Sequence, residues 1–306
     1  MSFLITYDDY IHIFNLKNKK KFILNPIFSP IPLYHLKKTI FFDKNLFLFG
    51  SNKDIIRLYD IKEKKKIFDF YTIEKPIDSF QWNKKNSLFI SSEYSIYQWN
   101  RLKNDLWKKR LEIKCEKCFD FLIFLKNQKT MISCTSNQNK LFVWNVCEEK
   151  TSFVGKTSIS DKISFIKPCR KSNKFAISTK NHKIFIFDEN GTLIYSFYKN
   201  KFCDQFQWPG EIVLDWVSSN TIVFGGSGND IFGLDLRQRK QSFLLSGHES
   251  EISCLASGKT PNEVNSNNII SSDKNGTLKL WDTRMSREVI TLNNKKKKIT
   301  SIESFC

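Results

Sequence analysis

The chain has 306 residues, with 49 Lys and Arg against 31 Asp and Glu and a net charge of +18 at pH 7. With 41% hydrophobic and 26% charged residues, the composition is that of a globular protein and excludes a disordered or fibrous one. No uncharged apolar run approaches the ~20 residues of a membrane-spanning helix, and Asp8 and Asp9 interrupt the first apolar stretch, so we expect neither a membrane protein nor a secreted one.

The eight cysteines are scattered through a chain long enough to form a core without disulfides, which predicts reduced thiols in a reducing compartment. Lys, Ile, Asn and Phe are used heavily, whereas 11 Gly and 7 Pro are few for this length. This usage is typical of AT-rich coding sequences, as in reduced eukaryotic genomes and nucleomorphs. The positive charge therefore has two explanations, which are mutational bias and selection for a polyanionic partner.

One unit recurs from the beginning of the chain to its end. It is an alternating apolar stretch that closes with an aromatic or apolar residue followed by Asp or Asn. The closing Asp or Asn stands at positions 15, 60, 100, 145, 188, 235 and 282, at intervals of 45, 40, 45, 43, 47 and 47 residues. These intervals are close to the ~40–45-residue period of four-stranded propeller blades.

The first unit begins with the strand Phe3–Thr6 and continues directly to Asn15, so it lacks an innermost strand. At the other end, Ile299–Ile302 repeats the first-strand pattern of Ile252–Leu255. We expect this C-terminal strand to complete the N-terminal blade and close a ring of seven blades, because closure removes exposed strand edges. The prediction is a single domain over residues 1–306.

The last unit shows the four predicted strands of a blade most clearly. The strands are Glu251–Leu255, Asn268–Ser272, Thr277–Trp281 and Glu288–Leu292. An Asn-Gly pair between the second and third strands is a strong hairpin signal. Period-two alternation dominates throughout, and no convincing amphipathic helix is present, so the predicted class is all-β.

The segment from Ser246-Gly-His248 to Trp281-Asp282 resembles a WD40 repeat, with its Gly-His opening and Trp-Asp close. Trp99-Asn100 and Trp144-Asn145 resemble the same close, and the other four units are degenerate. The resemblance implies a seven-bladed WD40 β-propeller. It also implies a buried hydrogen-bond network, which we place at His248, Asn275, Ser272 and Trp281, with Asp273 as the alternative to Asn275 if the turn is distorted.

Three basic runs follow a third strand and should therefore lie in loops on one face of a propeller. They are Lys17–Lys21, Lys62–Lys66 and Arg237–Lys240, whereas Lys295–Lys298 falls in a loop of the opposite face. Such a surface attracts nucleic acid, phospholipid or an acidic protein. The candidate contact residues in these loops are Lys19, Lys20, Lys64, Lys65 and Arg237.

The end of the last unit, Trp281-Asp282-Thr-Arg284, resembles the WD-x-Arg box of propellers that dock on the adaptor of the cullin-4 ubiquitin ligase. It departs from the box at Asp273 and Asn275, and Leu234-Asp235-Leu-Arg237 repeats the ending once. The resemblance makes Arg284 and Asp282 candidate interface residues.

The remaining motifs do not predict a metal site, a phosphate-binding loop or a catalytic site. Cys115 and Cys118 have zinc-type spacing, but no second ligand pair lies nearby. Gly225–Asp230 lacks the Lys-Ser/Thr of a phosphate-binding loop and is expected to be a turn between strands. We identify no nucleophile–base arrangement, so we predict no catalytic residue, no metal and no cofactor.

The predicted function is a non-catalytic scaffold for protein–protein interactions, monomeric within a multiprotein complex, in nuclear RNA processing or mRNA export. The alternatives are a substrate receptor of a cullin-4-type ubiquitin ligase and a propeller that binds RNA directly. The predicted location is a nucleus, including the reduced nucleus of a nucleomorph, or the cytoplasm.

Overall fold

Every element of regular structure in the described part of the chain is a β-strand, which confirms the all-β prediction. A computed structural model describes residues 2–7, 11–15, 25–27, 36–43, 46–51, 55–60, 62–63, 65–71, 76–83, 86–102, 106–114, 118–135, 137–147, 150–198, 211–258, 267–293 and 299–305. Within these ranges, no helix has the length and apolar character needed to cross a bilayer.

The described strands form seven four-stranded antiparallel sheets, numbered here along the chain. Sheet 1 contains, in spatial order, β28 (Ile299–Phe305), β1 (Ser2–Tyr7), β2 (Ile11–Asn15) and β3 (Asn25–Ile27). Sheet 2 contains β4 (Leu36–Asp43), β5 (Leu46–Ser51), β6 (Ile55–Asp60) and β7 (Lys65–Tyr71). Sheet 3 contains β8 (Ser79–Asn83), β9 (Ser87–Ser92), β10 (Ser95–Arg101) and β11 (Trp107–Lys114).

The next four sheets repeat this meander. Sheet 4 contains β12 (Phe121–Phe124), β13 (Thr130–Thr135), β14 (Lys140–Val146) and β15 (Thr151–Ser158). Sheet 5 contains β16 (Ile163–Pro168), β17 (Phe175–Thr179), β18 (Ile184–Phe187) and β19 (Leu193–Phe197). Sheet 6 contains β20 (Val213–Trp216), β21 (Thr221–Gly225), β22 (Ile231–Asp235) and β23 (Lys240–Leu245), and sheet 7 contains β24 (Ile252–Ser257), β25 (Asn268–Asp273), β26 (Thr277–Asp282) and β27 (Arg287–Asn293).

Sheet 1 is built from both ends of the described chain. Strand β28 pairs antiparallel with β1, so that Ile302 stands opposite Ile5, and Thr300 donates a hydrogen bond from Oγ1 to the carbonyl oxygen of Thr6 at 3.1 Å. Ile5, Ile299 and Ile302 are buried, together with residues of sheet 7. The C-terminal strand therefore supplies both the innermost edge of sheet 1 and part of its contact with sheet 7.

The hydrophobic core is divided into clusters that lie between neighbouring sheets. Each of six clusters of buried residues joins two sheets that follow one another, for example sheets 5 and 6 around Trp216 and sheets 6 and 7 around Trp281. The innermost strands contact each other in the order β28, β4, β8, β12, β16, β20 and β24, and β24 contacts β28 in turn.

A β-bulge recurs where the third strand of a sheet pairs with the fourth. In sheets 2 to 7 the register shifts just before the residue that precedes the repeating Asp or Asn, for example between Leu58 and Tyr59 and between Leu280 and Trp281. The extra residue in the outermost strand is left unpaired, as in bulges generally. In three sheets this residue is an exposed β-branched apolar one, Ile67, Val154 or Val289.

An ion pair joins β28 to sheet 5. Arg170, which follows β16, donates a hydrogen bond to Oγ of Ser304 in β28 at 2.8 Å, and its guanidinium lies 3.5 Å from Glu303. The ammonium of Lys167 lies 3.6 Å from the same carboxylate. Sheets 5 and 1 do not follow one another in the order of contacts between the innermost strands, so these contacts join β28 to a sheet that is not its neighbour.

The burial of β28 gives a testable prediction. Ile302→Ala should lower the free energy of unfolding by about 2–5 kcal/mol, since it leaves a cavity between sheets 1 and 7. Leu193→Ala removes an aliphatic side chain that is 49% exposed on β19, so this matched control should stay within about 0.5 kcal/mol of the wild type. Urea denaturation of the three proteins measures both values, and equal losses in the two variants would contradict the placement of β28.

Candidate interaction surfaces

The Gly-His and Trp-Asp ends of the last unit meet in a buried chain of hydrogen bonds. Trp281 donates from Nε1 to Oγ of Ser271 at 2.7 Å, and Ser271 Oγ lies 2.6 Å from Nε2 of His248. His248 Nδ1 lies 3.1 Å from Oδ2 of Asp273, whose Oδ1 accepts the backbone N–H of Thr277 at 2.8 Å. All these bonds are satisfied together by one neutral tautomer, with the His248 proton on Nδ1 and the Ser271 proton directed at Nε2.

The positions that we predicted for two members of this network are wrong. Ser272 pairs with Ser253 through their hydroxyl oxygens, which are 2.8 Å apart, and Asn275 is an exposed turn residue. Side chains alternate between the faces of a strand, and Trp281 stands opposite Ile269 in the sheet. Ser271 and Asp273 therefore share the face of Trp281, whereas Ser272 points to the other face.

The alternative that we gave for Asn275 is the residue that the structure uses. Strand β25 continues through Asp273, so this carboxylate is still held by the sheet, and the exposed turn begins only at Lys274. Asn275 lies six residues before Trp281, and its assignment to the network presumes a fixed length for the turn between β25 and β26. The alternation of the strand, followed back from Trp281 through its partner Ile269, identifies both Ser271 and Asp273 from the sequence.

The environment of His248 favours its neutral form. Burial lowers the pKa of the His248 imidazole below its ordinary value, and the hydrogen bond to Asp273 opposes this shift without cancelling it. The side chains of His248 and Asp273 are 0% and 1% exposed. A neutral His that donates to a carboxylate is thus a fixed structural element here.

Two further Trp residues at third-strand ends show how much of this network repeats. Trp144 Nε1 donates to Oγ of Ser133 at 2.8 Å, in the same relation as Trp281 to Ser271. In sheet 3 the equivalent of the serine is Ile90, and the buried Nε1 of Trp99 has no hydrogen-bond partner within the described ranges. Only sheet 7 combines the Trp–Ser bond with the His–Asp pair among the sheets as described.

The repeating Asp has a defined structural role in the turns between third and fourth strands. The carboxylates of Asp60, Asp188, Asp235 and Asp282 each accept the backbone N–H of the residue two positions later at 2.7–3.0 Å. Asx turns of this kind fix a tight loop. The residue two positions after the Asp is thereby held at the outer surface, and it is Lys62, Asn190, Arg237 or Arg284.

Arg284 is held in place by its own turn. Its guanidinium makes two hydrogen bonds to Asp282, from Nε at 3.1 Å and from Nη2 at 2.7 Å, while the side chain stays 66% exposed. The hydrogen bond from Arg284 holds the pKa of the Asp282 carboxyl below its usual range. Met285 and Val289 in the same hairpin are 56% and 50% exposed, so this hairpin presents a fixed cation beside apolar surface.

Arg237 occupies the equivalent place in sheet 6. Its guanidinium lies 3.5 Å from Asp235 and is 70% exposed. Burial acts to raise the pKa of Asp235, but the backbone N–H groups of Gln238 and Arg237 outweigh it and the pKa lies below its usual range. The second turn thus repeats the first with a looser ion pair.

The predicted lysine contacts are only partly within the described residues. Lys19, Lys20 and Lys64 lie outside them, as does the run Lys295–Lys298. Lys65 begins β7 and pairs with Glu63, both side chains being exposed. Its charge is therefore balanced locally.

Among the described residues, positive charge is nevertheless concentrated on one face. In an antiparallel meander the first-to-second and third-to-fourth loops leave the same face, which is called the basic face here. Its described cations are Lys62, Lys65, Arg101, Lys126, Lys129, Lys150, Arg170, Lys171, Lys174, Arg237, Arg239, Lys240, Arg284 and Arg287, and its acids are Asp60, Glu63, Asp188, Glu189, Asp235, Asp282 and Glu303.

The opposite face has the reverse balance. Its described cations are Lys114, Lys140, Lys162, Lys180, Lys183 and Lys274, and its acids are Asp78, Glu93, Asp120, Asp161, Glu211, Asp230, Glu249, Glu251 and Asp273. The sequence predicts positive charge mainly in third-to-fourth loops. Five cations of the basic face instead come from two first-to-second loops, 125–129 and 169–174, which the sequence marks only as short Lys-rich links.

The Gly-rich segment and the cysteine pair, for which the sequence predicts no ligand, lie as follows. Gly225–Asp230 links β21 to β22 as a turn between strands. Cys118 is an exposed free thiol, and its neighbour in the zinc-type pair, Cys115, lies outside the described residues. Within the described ranges, no three His, Cys, Asp or Glu side chains are grouped so as to hold a metal ion.

The stability of the protein should depend on pH through His248. Because the folded pKa is lowered, the contribution of the neutral imidazole is complete above the unfolded value of 6.5 and is lost as the pH falls from 6.5 toward the folded pKa. The slope for one proton is at most about 1.4 kcal/mol per pH unit.

Urea unfolding between pH 5 and 7 measures this slope, which should be smaller in His248→Gln. The control His182→Asn removes an imidazole outside the network at a turn residue with φ of 58°, a conformation that Asn tolerates. A His248→Gln slope identical to that of the wild type would contradict the assignment.

Two neighbouring serines test the network itself. Ser271→Ala leaves both Trp281 Nε1 and His248 Nε2 without their partner, so we expect it to cost about 1–3 kcal/mol more than Ser272→Ala. Ser272→Ala is the matched control, since Ser253 keeps a hydrogen bond to the carbonyl oxygen of residue 272. Thermal or urea unfolding decides between them, and a larger loss for Ser272→Ala would return the network to our first assignment.

A comparison with protein families gives one match. The family described as WD domain, G-beta repeat matches residues 239–282, which run from the outermost strand of sheet 6 through the first three strands of sheet 7. No curated protein matches the chain. Repeats of this family generally serve as non-catalytic scaffolds that bind other proteins. The match to residues 239–282, the His248–Trp281 network that this segment carries and the all-β fold of antiparallel four-stranded sheets together support a WD-repeat protein.

Proposed function

We propose that residues 1–306 form a single seven-bladed propeller that acts as a non-catalytic scaffold in a multiprotein complex. In this proposal, a protein partner docks on the outer hairpin of sheet 7, between β26 and β27. The observation that carries it is the fixed, exposed Arg284, held by Asp282 beside exposed Met285. Arg and Met are enriched at protein interfaces, and an arginine that is already oriented loses less entropy on binding.

The equivalent turn of sheet 6 extends this docking surface. Arg237 is held there by Asp235 in a looser ion pair. Two neighbouring sheets thus present a cation and its capping carboxylate at the same rim. This repetition supports a partner that spans both hairpins.

The complex that we favour is one that processes or exports RNA, in the nucleus or in a reduced nucleus. The support is the uneven charge of the two faces. Mutational bias adds lysine without regard to the fold, whereas the described cations are concentrated on one face. A propeller that enters such a complex as a single copy presents the basic face toward RNA and keeps its rim for proteins.

A second candidate function is that of a substrate receptor for the cullin-4 ubiquitin ligase. It is favoured by Arg284, which follows Trp281-Asp282 at the spacing of the docking box and is exposed in the hairpin turn. The adaptor would then be the protein that occupies the hairpin. The two candidates differ in the identity of the captured partner and agree on the residues that bind it.

Affinity capture followed by mass spectrometry tests the docking surface. The double variant Arg284→Ala/Met285→Ser should reduce the recovery of the main partner at least about tenfold. It should leave the unfolding free energy within about 0.5 kcal/mol, because both side chains are exposed. The control Lys274→Ala/Tyr94→Ser removes one exposed cation and one exposed aromatic side chain from the opposite face and should leave recovery unchanged.

The identity of the partner separates the candidates. Co-purification of RNA-processing or export factors supports the first, and capture of the cullin adaptor supports the second. Equal recovery from both variants rejects the hairpin as the docking surface.

A further inference from the structure

Two adjacent loops on the basic face form a cluster of cations without an acidic residue in either loop. The loops are 125–129 (Leu-Lys-Asn-Gln-Lys), which joins β12 to β13, and 169–174 (Cys-Arg-Lys-Ser-Asn-Lys), which joins β16 to β17. Together they are called the basic platform here. Its cations are Lys126, Lys129, Arg170, Lys171 and Lys174.

The platform is braced by hydrogen bonds between its two loops. Asn127 donates its backbone N–H to Oδ1 of Asn173 at 3.0 Å, and Lys126 donates from Nζ to the carbonyl oxygen of Lys171 at 3.1 Å. The side-chain amides of both Asn127 and Asn173 donate to the same oxygen of Glu189, at 3.3 Å and 2.6 Å. Sheets 4 and 5 therefore hold the two loops in one arrangement.

A further set of bonds ties the platform to sheet 6. Lys171 donates from Nζ to the carbonyl oxygen of Val217 at 3.4 Å, and the thiol of Cys169 lies 3.9 Å from the carbonyl oxygen of Ser218. The platform is thus preorganised across three sheets, and binding costs little loop entropy.

Most of the braces named above use neutral groups. The acceptors of Lys126 and Lys171 given there are carbonyl oxygens, and Glu189 accepts from the amides of Asn127 and Asn173. Arg170 bonds to the hydroxyl of Ser304 and shares the carboxylate of Glu303 with Lys167. The two loops themselves contribute five cations and no carboxylate.

The composition of the platform distinguishes between polyanionic partners. Protein interfaces draw their binding energy from buried aromatic, Met and Leu anchors. The exposed large hydrophobic residues of the described chain all lie outside the two loops. Lysine ammonium groups act as point charges that suit phosphate, and base stacking has no aromatic side chain to use. These features favour contact with a nucleic-acid backbone.

The shape of the loops favours RNA over DNA. The platform consists of a five-residue and a six-residue loop, each bonded to its neighbours, and it offers no helix or β-ribbon that could enter the major groove of B-form DNA. Double-stranded RNA presents a wide, shallow minor groove with flanking phosphates, which lysines on two short loops can contact without inserting an element. The side-chain amides of Asn127 and Asn173 already donate to Glu189, so the contact depends on the lysines.

We propose that the basic platform binds double-stranded RNA through its phosphate backbone, without reading its sequence. This surface is separate from the hairpin of sheet 7, so the proposal stands independently of the partner that docks there. It also places RNA on the basic face between sheets 4 and 6, away from the rim of sheet 7.

Fluorescence anisotropy with a labelled 20-base-pair RNA duplex, titrated between 50 and 200 mM salt, tests the proposal. The full-length protein should bind with an affinity that falls steeply as salt rises. Each phosphate contact adds about 0.9 to the slope of log affinity against log salt. The variant Lys126→Gln/Lys129→Gln/Lys174→Gln should bind at least about tenfold more weakly at 100 mM salt and lose about 2–3 from that slope.

A control variant shows whether RNA binding depends on where the lysines lie or only on the net charge of the protein. Lys114→Gln/Lys162→Gln/Lys180→Gln removes the same charge from exposed lysines of the opposite face and should bind RNA like the wild type. The single variant Lys129→Gln serves if the triple variant fails to fold, and it should lose about 0.9 from the slope. Equal loss in the two triple variants overturns the proposal, since net charge alone would then explain binding.

Further binding measurements use a DNA duplex of the same sequence, a single-stranded RNA of the same length and vesicles containing phosphatidylserine. The RNA duplex should bind most tightly. Equal or tighter binding of the DNA or the single strand overturns the assignment to double-stranded RNA. Binding of vesicles with no binding of RNA identifies the platform as a membrane contact and rejects the proposal. Loss of RNA binding with intact protein capture leaves the scaffold proposal standing.

Discussion

Burial between neighbouring sheets is the constraint on which the rest of this structure depends. A four-stranded sheet with apolar residues on both faces cannot bury them alone, and here each cluster of buried residues joins two successive sheets. The faces of the sheets are therefore buried against neighbouring sheets. What is left for interaction is the set of turns at the two ends of the strands and the outermost strands, which is where the exposed charges and apolar side chains of the described chain lie.

The periodicity of the sequence was sufficient to predict the architecture, because the repeating Asp performs the same local task in each unit where it occurs. Asp60, Asp188, Asp235 and Asp282 cap the turn after the third strand, so their spacing follows the spacing of the sheets. The four strands of the last unit were predicted within a few residues of their bounds for a related reason, since alternation and an Asn-Gly turn are local signals. The β-bulges were not predicted, because a bulge changes the pairing of a strand without changing its alternating composition.

Side-chain sites were harder to predict than strands. The sequence identified His248 and Trp281 but misplaced their partners, since the choice between Ser271 and Ser272 depends on strand register and not on residue type. The basic platform was missed because its two loops are 40 residues apart in sequence and meet only through the stacking of sheets 4 and 5. The ion pair between Arg57 and Asp69, 2.8 Å apart in adjacent strands, was not predicted either, because it depends on the register of β6 and β7.

The pairing of β1 with β28 joins residues 294 positions apart, and this separation has a consequence for synthesis. A ribosome adds about 5–20 residues per second, so β1 leaves the exit tunnel roughly 15–60 seconds before its partner strand leaves it. Throughout that interval its inner edge carries unpaired N–H and C=O groups, a template to which another nascent chain can add. The entropic cost of closing so long a loop is modest, since it grows only logarithmically with length. The hazard is one of time, and a chaperone that shields a single strand edge would remove it.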